Sequence, residues 1–338
     1  MRITRIDFFV VSLPFVEPIR KYMPTFHVDN PDYIIKMHTD EGIVGIGETN
    51  RFNAPTVHDL IPTWIGKDPL AVNIAEVDWP FNHALYDIVG KALNVPAYRL
   101  MGGKYRDRIP VSYWSPPMPA AETAAESEAA AKRGFTSHKL KARSWNIVET
   151  ADLIGRAAGS QMGIVADPNT QFGSVATAAR LAQQLEPYNV VCFEDPISRD
   201  DWVQWRLLRQ RTDMPLAPHL GRPADVLGAL KAEAADLFNI GGNFANSSRC
   251  AQLAESAGLP VWLQVSGLCT GVAAAYAAHA GAAIRNATLP GDTLHFLKVD
   301  DLLVDSPIDP VDGHIPVPEG PGLGVVLDEK AIERYRIE

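Results

Sequence analysis

At 338 residues, with 46% hydrophobic and 21% charged side chains, the chain has the make-up of a folded protein with one large and one smaller domain, not of a disordered segment. Its formal net charge of −9 and the lack of any Lys/Arg run argue against a nucleic-acid partner, which needs a basic face to displace phosphate counterions. The three cysteines, Cys192, Cys250 and Cys269, lie far apart without a CxxC pair, so they read as buried reduced thiols of a cytoplasmic protein.

Residues 1–13 alternate apolar and polar side chains and lack the continuous apolar run of a signal peptide, so a strand is expected there. Residues 33–39 and 44–47 flank Asp40, Glu41 and Gly42, a tight-turn signal, and extend the reading to an antiparallel meander over residues 1–48. From residue 56 to 100 the apolar spacing becomes helical, with Ala84, Leu85, Ile88, Val89 and Leu93 on one stripe. Gly102 and Gly103 are expected to supply its left-handed end.

After Pro110 short apolar runs alternate with Ala- and Glu-rich stretches. Strands are expected at 111–113, 135–141, 163–166, 190–193, 215–217, 236–240, 260–265 and, more weakly patterned, 284–288. Helices fall between them, near 120–133, 148–159, 175–185, 202–211, 224–234, 247–257 and 270–281. About eight such βα units predict a parallel sheet closed into a barrel, and no GxGxxG turn supports the open doubly wound alternative. The most apolar late stretch, 271–284, is too short to cross a bilayer, so no membrane association is expected. The Pro- and Gly-rich tail from residue 304 ends in a helical pattern near 329–335 and is expected to pack back on the N-terminal region.

In a (β/α) barrel the chemistry sits where strands run into the following loops. The second strand ends in Lys139 and Lys141, which alternation places on one face, with His138 and Leu140 on the other. Burial and mutual repulsion would favour neutral amines, and a neutral amine is a competent base near neutral pH. A solvated surface pair is the bland alternative. The third strand ends in Asp167, with Asn169 two positions on, and the fourth in Glu194 and Asp195; a proline follows each and stops the ladder. Two neighbouring carboxylates at strand ends can hold one hard cation, whereas Asn169 and Asp195 also suit helix caps.

Lys-x-Lys, Asp-x-Asn and Glu-Asp-Pro on successive strands resemble the enolase superfamily, and more narrowly its mandelate racemase/muconate lactonizing enzyme-like members. The resemblance spans nearly the whole chain, including the Asp40 to Gly42 turn, the segment 98–103 and the ending 322–335. It implies a (β/α)7-8 barrel, a modified TIM barrel, over residues 106–303. An N-terminal α+β capping domain would occupy 1–105, and a C-terminal segment, 304–338, would return to it. It further implies a small-molecule carboxylate substrate, a Mg2+ ion that stabilises an enediolate, and a homo-oligomer. Carried over by position, Lys141 is the base, Lys139 tunes it and touches the carboxylate, and Asp167 and Glu194 are metal ligands.

The pattern departs from the family at the fifth strand, where no third acid occurs. His219 is the candidate substitute, and an imidazole there would make Mn2+ or Fe2+ more competitive with Mg2+. A loop histidine without a ligand role is the alternative, and Asp225 suits a helix first turn better. On the opposite wall Asp236 is kept, but Asn239 and Gln264 stand where a second base would be. Neither amide takes up a proton near neutral pH, so two-base racemisation is disfavoured.

One base suffices for dehydration of a hydroxylated acid such as a sugar acid; cycloisomerase or epimerase chemistry is the alternative. Asp292 and His295, placed after the eighth strand, are candidates for bonding the substrate carboxylate. Lys21, Tyr22, His27, Arg51 and Phe52 in the early loops, with Arg143 and Trp145 beyond the base, are candidates for substrate recognition, as is Asn169. Two rival classes are a catalytically degenerate binding homologue and a Schiff-base aldolase using Lys139 or Lys141. Four costly charged side chains at strand ends favour an enzyme over the first, and the second leaves Asp167 and Glu194 unexplained.

Overall fold

The alternating N-terminus forms β1 (Ile3–Val11), which pairs antiparallel with β2 (Asp32–Thr39); β2 turns through Gly42, at φ 77°, into β3 (Val44–Asn50). Between the first two strands lies one helical turn, α1 (Ile19–Tyr22). These features belong to a computed structural model that describes residues 1–25, 31–50, 56–264 and 268–337.

The stretch expected to be helical from 56 to 100 is broken. Helix α2 (Val57–Leu60) gives way to single turns, α3 (Phe81–Leu93) carries the apolar stripe, and α4 (Ala97–Leu100) follows. Pro62, Pro69 and Pro80 explain the breaks, because proline donates no hydrogen bond and clashes with the preceding turn. Helix α3 ends at Asn94, left-handed at φ 54°, and not at Gly102; Leu93 lies off the buried stripe, 55% exposed. Asparagine tolerates that conformation, and Pro96 just beyond forbids continuation. The face of β3 packs against α3 because two glycines leave room. A Cβ at Gly45 would lie 2.2 Å from the Ala84 carbonyl oxygen, and one at Gly47 2.1 Å from that of Pro80.

Strands and helices then alternate: β4 (Arg108–Ser115), α5 (Ala120–Lys132), β5 (Ser137–Leu140), α6 (Ile147–Ala158), β6 (Gly163–Ala166), α7 (Val175–Leu185), β7 (Val190–Glu194) and α8 (Trp202–Arg209). The second half runs β8 (Leu216–Ala217), β9 (His219–Leu220), α9 (Pro223–Lys231), β10 (Phe238–Ile240), α10 (Phe244–Ser256), β11 (Val261–Leu263), α11 (Gly271–Ala283) and β12 (Gly291–Asp292). One parallel ladder runs β12-β4-β5-β6-β7-β8 and a second β11-β10-β9, so the expected α/β barrel architecture is present. Pro218 splits the fifth barrel strand between the two ladders, since it has no amide hydrogen to donate. A side chain bridges the gap: Asp195 Oδ1 accepts from the His219 amide at 3.0 Å, while the Asp195 amide donates to Ala217 O at 3.2 Å.

The eighth barrel strand is split: within the expected 284–288, Ala287 makes a parallel bridge to Val261 of β11, with the Val261 amide donating to Asn286 O at 3.0 Å, while the pairing with β4 falls at Gly291–Asp292. Around that bridge the Thr288 amide donates to Asn286 O at 2.9 Å, and Asn286 Nδ2 is anchored to Ala251 O and Leu259 O. The Ala-rich α11 is buried from Gly271 to Ala282, which accounts for its lack of a polar face. Among the described residues no helix is long and apolar enough to cross a membrane. Cys192, Cys250 and Cys269 are buried and unpaired.

Carboxylates join the early strands to the barrel. Glu48, at the end of β3, accepts from the Thr270 amide and hydroxyl and from the Ala273 amide at 2.5 to 2.8 Å, capping α11 from outside its own chain segment. Burial, then Asp32, push its pKa up to about 8, while the amides at the start of that helix work to lower it. Asp32 on β2 forms a buried ion pair with Lys298. Late in the chain, β13 (His314–Pro316) pairs antiparallel with β4, and after α12 (Glu329–Tyr335) the Ile337 amide donates to Val10 O at 2.9 Å.

Candidate active site

Each parallel strand delivers its last residues to the same end of the barrel, and six of those ends carry the polar side chains of one buried cluster. Alternation along β5 turns Lys139 inward and His138 outward. His138 is held by Ser127 at 2.6 Å and Ser115 at 2.7 Å, and burial depresses its pKa to about 3, so the ring is neutral. Lys139 Nζ lies 2.8 Å from Glu194 Oε2, 3.0 Å from Asp292 Oδ2 and 3.6 Å from Asp167 Oδ2. Lys141, just past the strand, pairs with Asp167 Oδ2 at 2.5 Å, and the Asn169 amide donates to Asp167 Oδ1 at 2.9 Å. From the far wall Asn239 Nδ2 donates to Glu194 Oε1 and to Gln264 Oε1, both at 2.8 Å.

The electrostatics correct one expectation. Mutual repulsion between the lysines does not neutralise Lys139. Burial works toward the neutral amine, but Asp292, Glu194 and Asp167 outweigh it and hold the pKa well above the usual lysine value. Burial likewise works to raise the Asp167 carboxyl, and Lys141 with Lys139 overrides it, leaving Asp167 ionised. Burial and then Asp167 push Glu194 up to about 8 despite the Lys139 ammonium beside it. Asp292 Oδ1 and Asn239 Oδ1 are buried oxygens without a hydrogen bond. Orphaned acceptors beside crowded, buried carboxylates fit a divalent cation.

His219 on β9 comes close to the cluster, its ring and the carboxylates of Glu194 and Asp195 offering ligand atoms within 4.8 Å of one another. Burial, then Lys139 and Arg199, lower its pKa to about 4, so the imidazole is neutral. Asp195 and Asn169 cap no helix. Ser174 caps α7 and Asp201 caps α8, while Asp195 (φ 44°) and Asn169 (φ 48°) adopt left-handed turns at the strand ends.

Other expected contacts lie elsewhere. Asp236 sits at the opposite end of its strand, accepting from Arg209 Nε at 2.7 Å and the Leu216 amide at 3.0 Å, so it is removed from the site. His295 is buried in a 3-10 turn and bonded to Thr293 and Ile308 O, and it too is withdrawn from the cluster. Asp292 does join it, from the strand itself and not from a following loop. Lys21 and Tyr22 are tied to Glu122 at the start of α5, at 3.2 and 2.5 Å. Half-buried Arg143 donates to Ala142 O at 2.8 Å and feels the charge of Asp167. Trp145 is 75% exposed. His27, Arg51 and Phe52 lie outside the described residues. Sequence reasoning placed Asp195 at the strand end but gave it only a capping role; the signal for more was an acid directly after Glu194 with the fifth-strand acid missing.

A parallel barrel with lysines and carboxylates converging at the C-terminal ends of its strands defines an enzyme of the (β/α)-barrel class. A family model described as Enolase C-terminal domain-like matches residues 122–331. An N-succinyl-L-Arg/Lys racemase from Bacillus cereus is 26% identical over 100% of this chain and 98% of its own length. The crystal structure of that racemase superposes with TM-score 0.86 at 25% identity, covering 100% of this chain and 99% of the other. A D-galactonate dehydratase from Pectobacterium atrosepticum is 29% identical over 89% of this chain and 90% of its own. A dipeptide epimerase from Cytophaga hutchinsonii, solved with Mg and D-Ala-L-Val, shares the fold with TM-score 0.87 at 24% identity, covering 99% and 98% of the two chains. The chain belongs to the enolase superfamily, as a mandelate racemase/muconate lactonizing enzyme-like member, and is accordingly a lyase or an isomerase. Abstraction of the proton next to a carboxylate is the chemistry this membership supports.

Proposed function

We propose that the chain dehydrates a hydroxylated carboxylic acid, a sugar acid by class, with Lys141 as the one base and Mg2+ or a related divalent cation as cofactor. The reading is carried by one observation. Two lysines face three carboxylates on one side of the pocket, while among the described residues the opposite wall presents the bonded amides of Asn239 and Gln264. Glu194, Asp167 and His219 are the residues that would hold the cation. When bound, it supplies positive charge against which negative charge on the substrate carboxylate can grow.

The chain's own groups do the rest. Lys139, kept charged and buried, binds a carboxylate oxygen of the substrate and fixes the α-carbon beside Lys141. Lys141 Nζ takes the α-proton and the C–H electrons form the new double bond. The same ammonium then gives that proton to the β-hydroxyl, whose C–O bond breaks, and water leaves. Asn239 and Gln264 cannot deliver a proton to the opposite face, which supports dehydration over racemisation. Cycloisomerisation or epimerisation through the same single base is the alternative outcome.

The test is incubation of the Mg2+-loaded protein with a library of sugar acids in D2O. Proton NMR is expected to show loss of the α-hydrogen of at least one member together with a dehydrated keto-acid product. Lys141→Ala is expected to slow that turnover by about 10²- to 10⁴-fold. Exchange at the wild-type rate in Lys141→Ala, or deuterium uptake with inversion and no loss of water, would overturn the reading.

A further inference from the structure

The family's usual third carboxylate is missing from the fifth barrel strand, where Ala217, Pro218 and His219 stand. Yet the structure brings a different acid to that place. Asp195 directly follows Glu194, and its positive φ of 44° turns the backbone so that both consecutive side chains are buried at the same strand end, at 2% and 3% exposure. Along a regular strand two successive side chains point to opposite faces, so this turn is what lets neighbours in sequence share a site.

The other side of the site is shaped for a ring. Among the described residues neither nitrogen of the His219 imidazole takes part in a hydrogen bond. Its Nε2 lies against Gly241, where a Cβ would come within 3.2 Å, so glycine leaves the ring its room. Asp167 pairs with Lys141 at 2.5 Å and stays 3.6 Å from Lys139 in the same cluster. An independent sign points to a cation among these groups: Asn239 Oδ1, paired in register beside His219, is a buried oxygen with no hydrogen bond.

We infer that Asp195 supplies the missing third acid and joins Glu194, Asp167 and His219 in a mixed nitrogen and oxygen site that favours Mn2+ over Mg2+. This inference rests on the proposed metal dependence but not on the reaction. Divalent first-row transition metals, Mn2+ the weakest among them, accept an imidazole nitrogen more readily than Mg2+, which prefers an all-oxygen shell, so the ligand change alters selectivity and not only affinity. Asp195 has a second duty, since its Oδ1 accepts from the His219 amide and lies 3.7 Å from Arg199 Nε, so the inference assigns Oδ2 to the cation.

The test uses the full chain, stripped with chelator and titrated with Mn2+, with electron paramagnetic resonance counting free ion and pulsed measurements reading nitrogen coupling. Wild type is expected to bind one Mn2+ with a ¹⁴N coupling, and Mg2+ to compete only weakly. His219→Asn is expected to abolish the coupling and weaken Mn2+ by on the order of tenfold or more, while narrowing the preference over Mg2+. Asp195→Asn, which keeps an acceptor for the His219 amide, is expected to lower affinity for both ions alike; unfolding curves identify any loss of fold, and His219→Asn decides the matter if Asp195→Asn is unstable. Bound Mn2+ without nitrogen coupling, with wild-type affinity in both variants, would overturn the inference and leave the proposed function standing. No Mn2+ or Mg2+ binding in wild type would overturn both.

Discussion

His138 shows how the face of β5 away from the pocket sets up the face that works. Bonded through both ring nitrogens to Ser127 and Ser115, it is kept neutral with a pKa of about 3. The unfolded chain takes up a proton below about 6.5, the folded chain does not, so this residue's stabilisation is complete above that pH and fades as pH falls toward 3. Comparing wild type with His138→Gln by urea denaturation, the stability difference is expected to shrink by up to about 1.4 kcal/mol per pH unit across that window. A difference that does not change with pH would show that the ring is protonated in the fold. At this scale the lysines and the acids Asp167 and Glu194 were readable, because strand alternation and a following proline are local signals. Asp236 and His295 were not, because what holds them, Arg209 and Ile308 O, lies far along the chain or on backbone that sequence does not display.

Helix starts and strand ends follow local rules where the cap is in the sequence beside them. Ser174 accepts from the Thr177 amide at 3.1 Å, and replacing it with alanine leaves that amide without its cap. Ser174→Ala is expected to lower stability by about 1 kcal/mol with no change in the denaturant slope, measured by urea unfolding. Helix α11 is the opposite case, since its start is capped by Glu48 from 222 residues away and the alanine run alone gives no sign of it. The strands β6 and β7 were legible as apolar runs ahead of an acid and a proline. Two-residue pieces such as β8, β9 and β12 carry too few side chains to show a period, and the eighth strand was therefore set on the more apolar 284–288.

Across the molecule, the meander and the late barrel are joined by groups of opposite charge buried from water. Asp32 and Lys298, 266 positions apart, have side chains no more than 2% exposed. Lys298→Met strands a buried carboxylate and is expected to cost about 3–5 kcal/mol, read as a fall in the urea midpoint. The double variant with Asp32→Asn is expected to recover much of that loss, since removing both charges leaves none unpaired. Equal loss in the single and double variants would refute the electrostatic account. Hydrophobic rhythm made the barrel readable as a whole, but pairings of this separation have no local signature.

The break at Pro218 has a reach beyond topology. Where two ladders meet, backbone bonds such as Asn239 N to Pro218 O are supplemented by a side chain, and that Asp195 carboxylate is the one assigned to the cation. Whatever engages that acid from inside therefore stiffens or loosens the wall itself. Hydrogen–deuterium exchange at the His219 amide should report pocket occupancy, protected when Mn2+ fills it and faster in the chelated protein, while the amides of β6, stitched by backbone alone, keep one rate throughout.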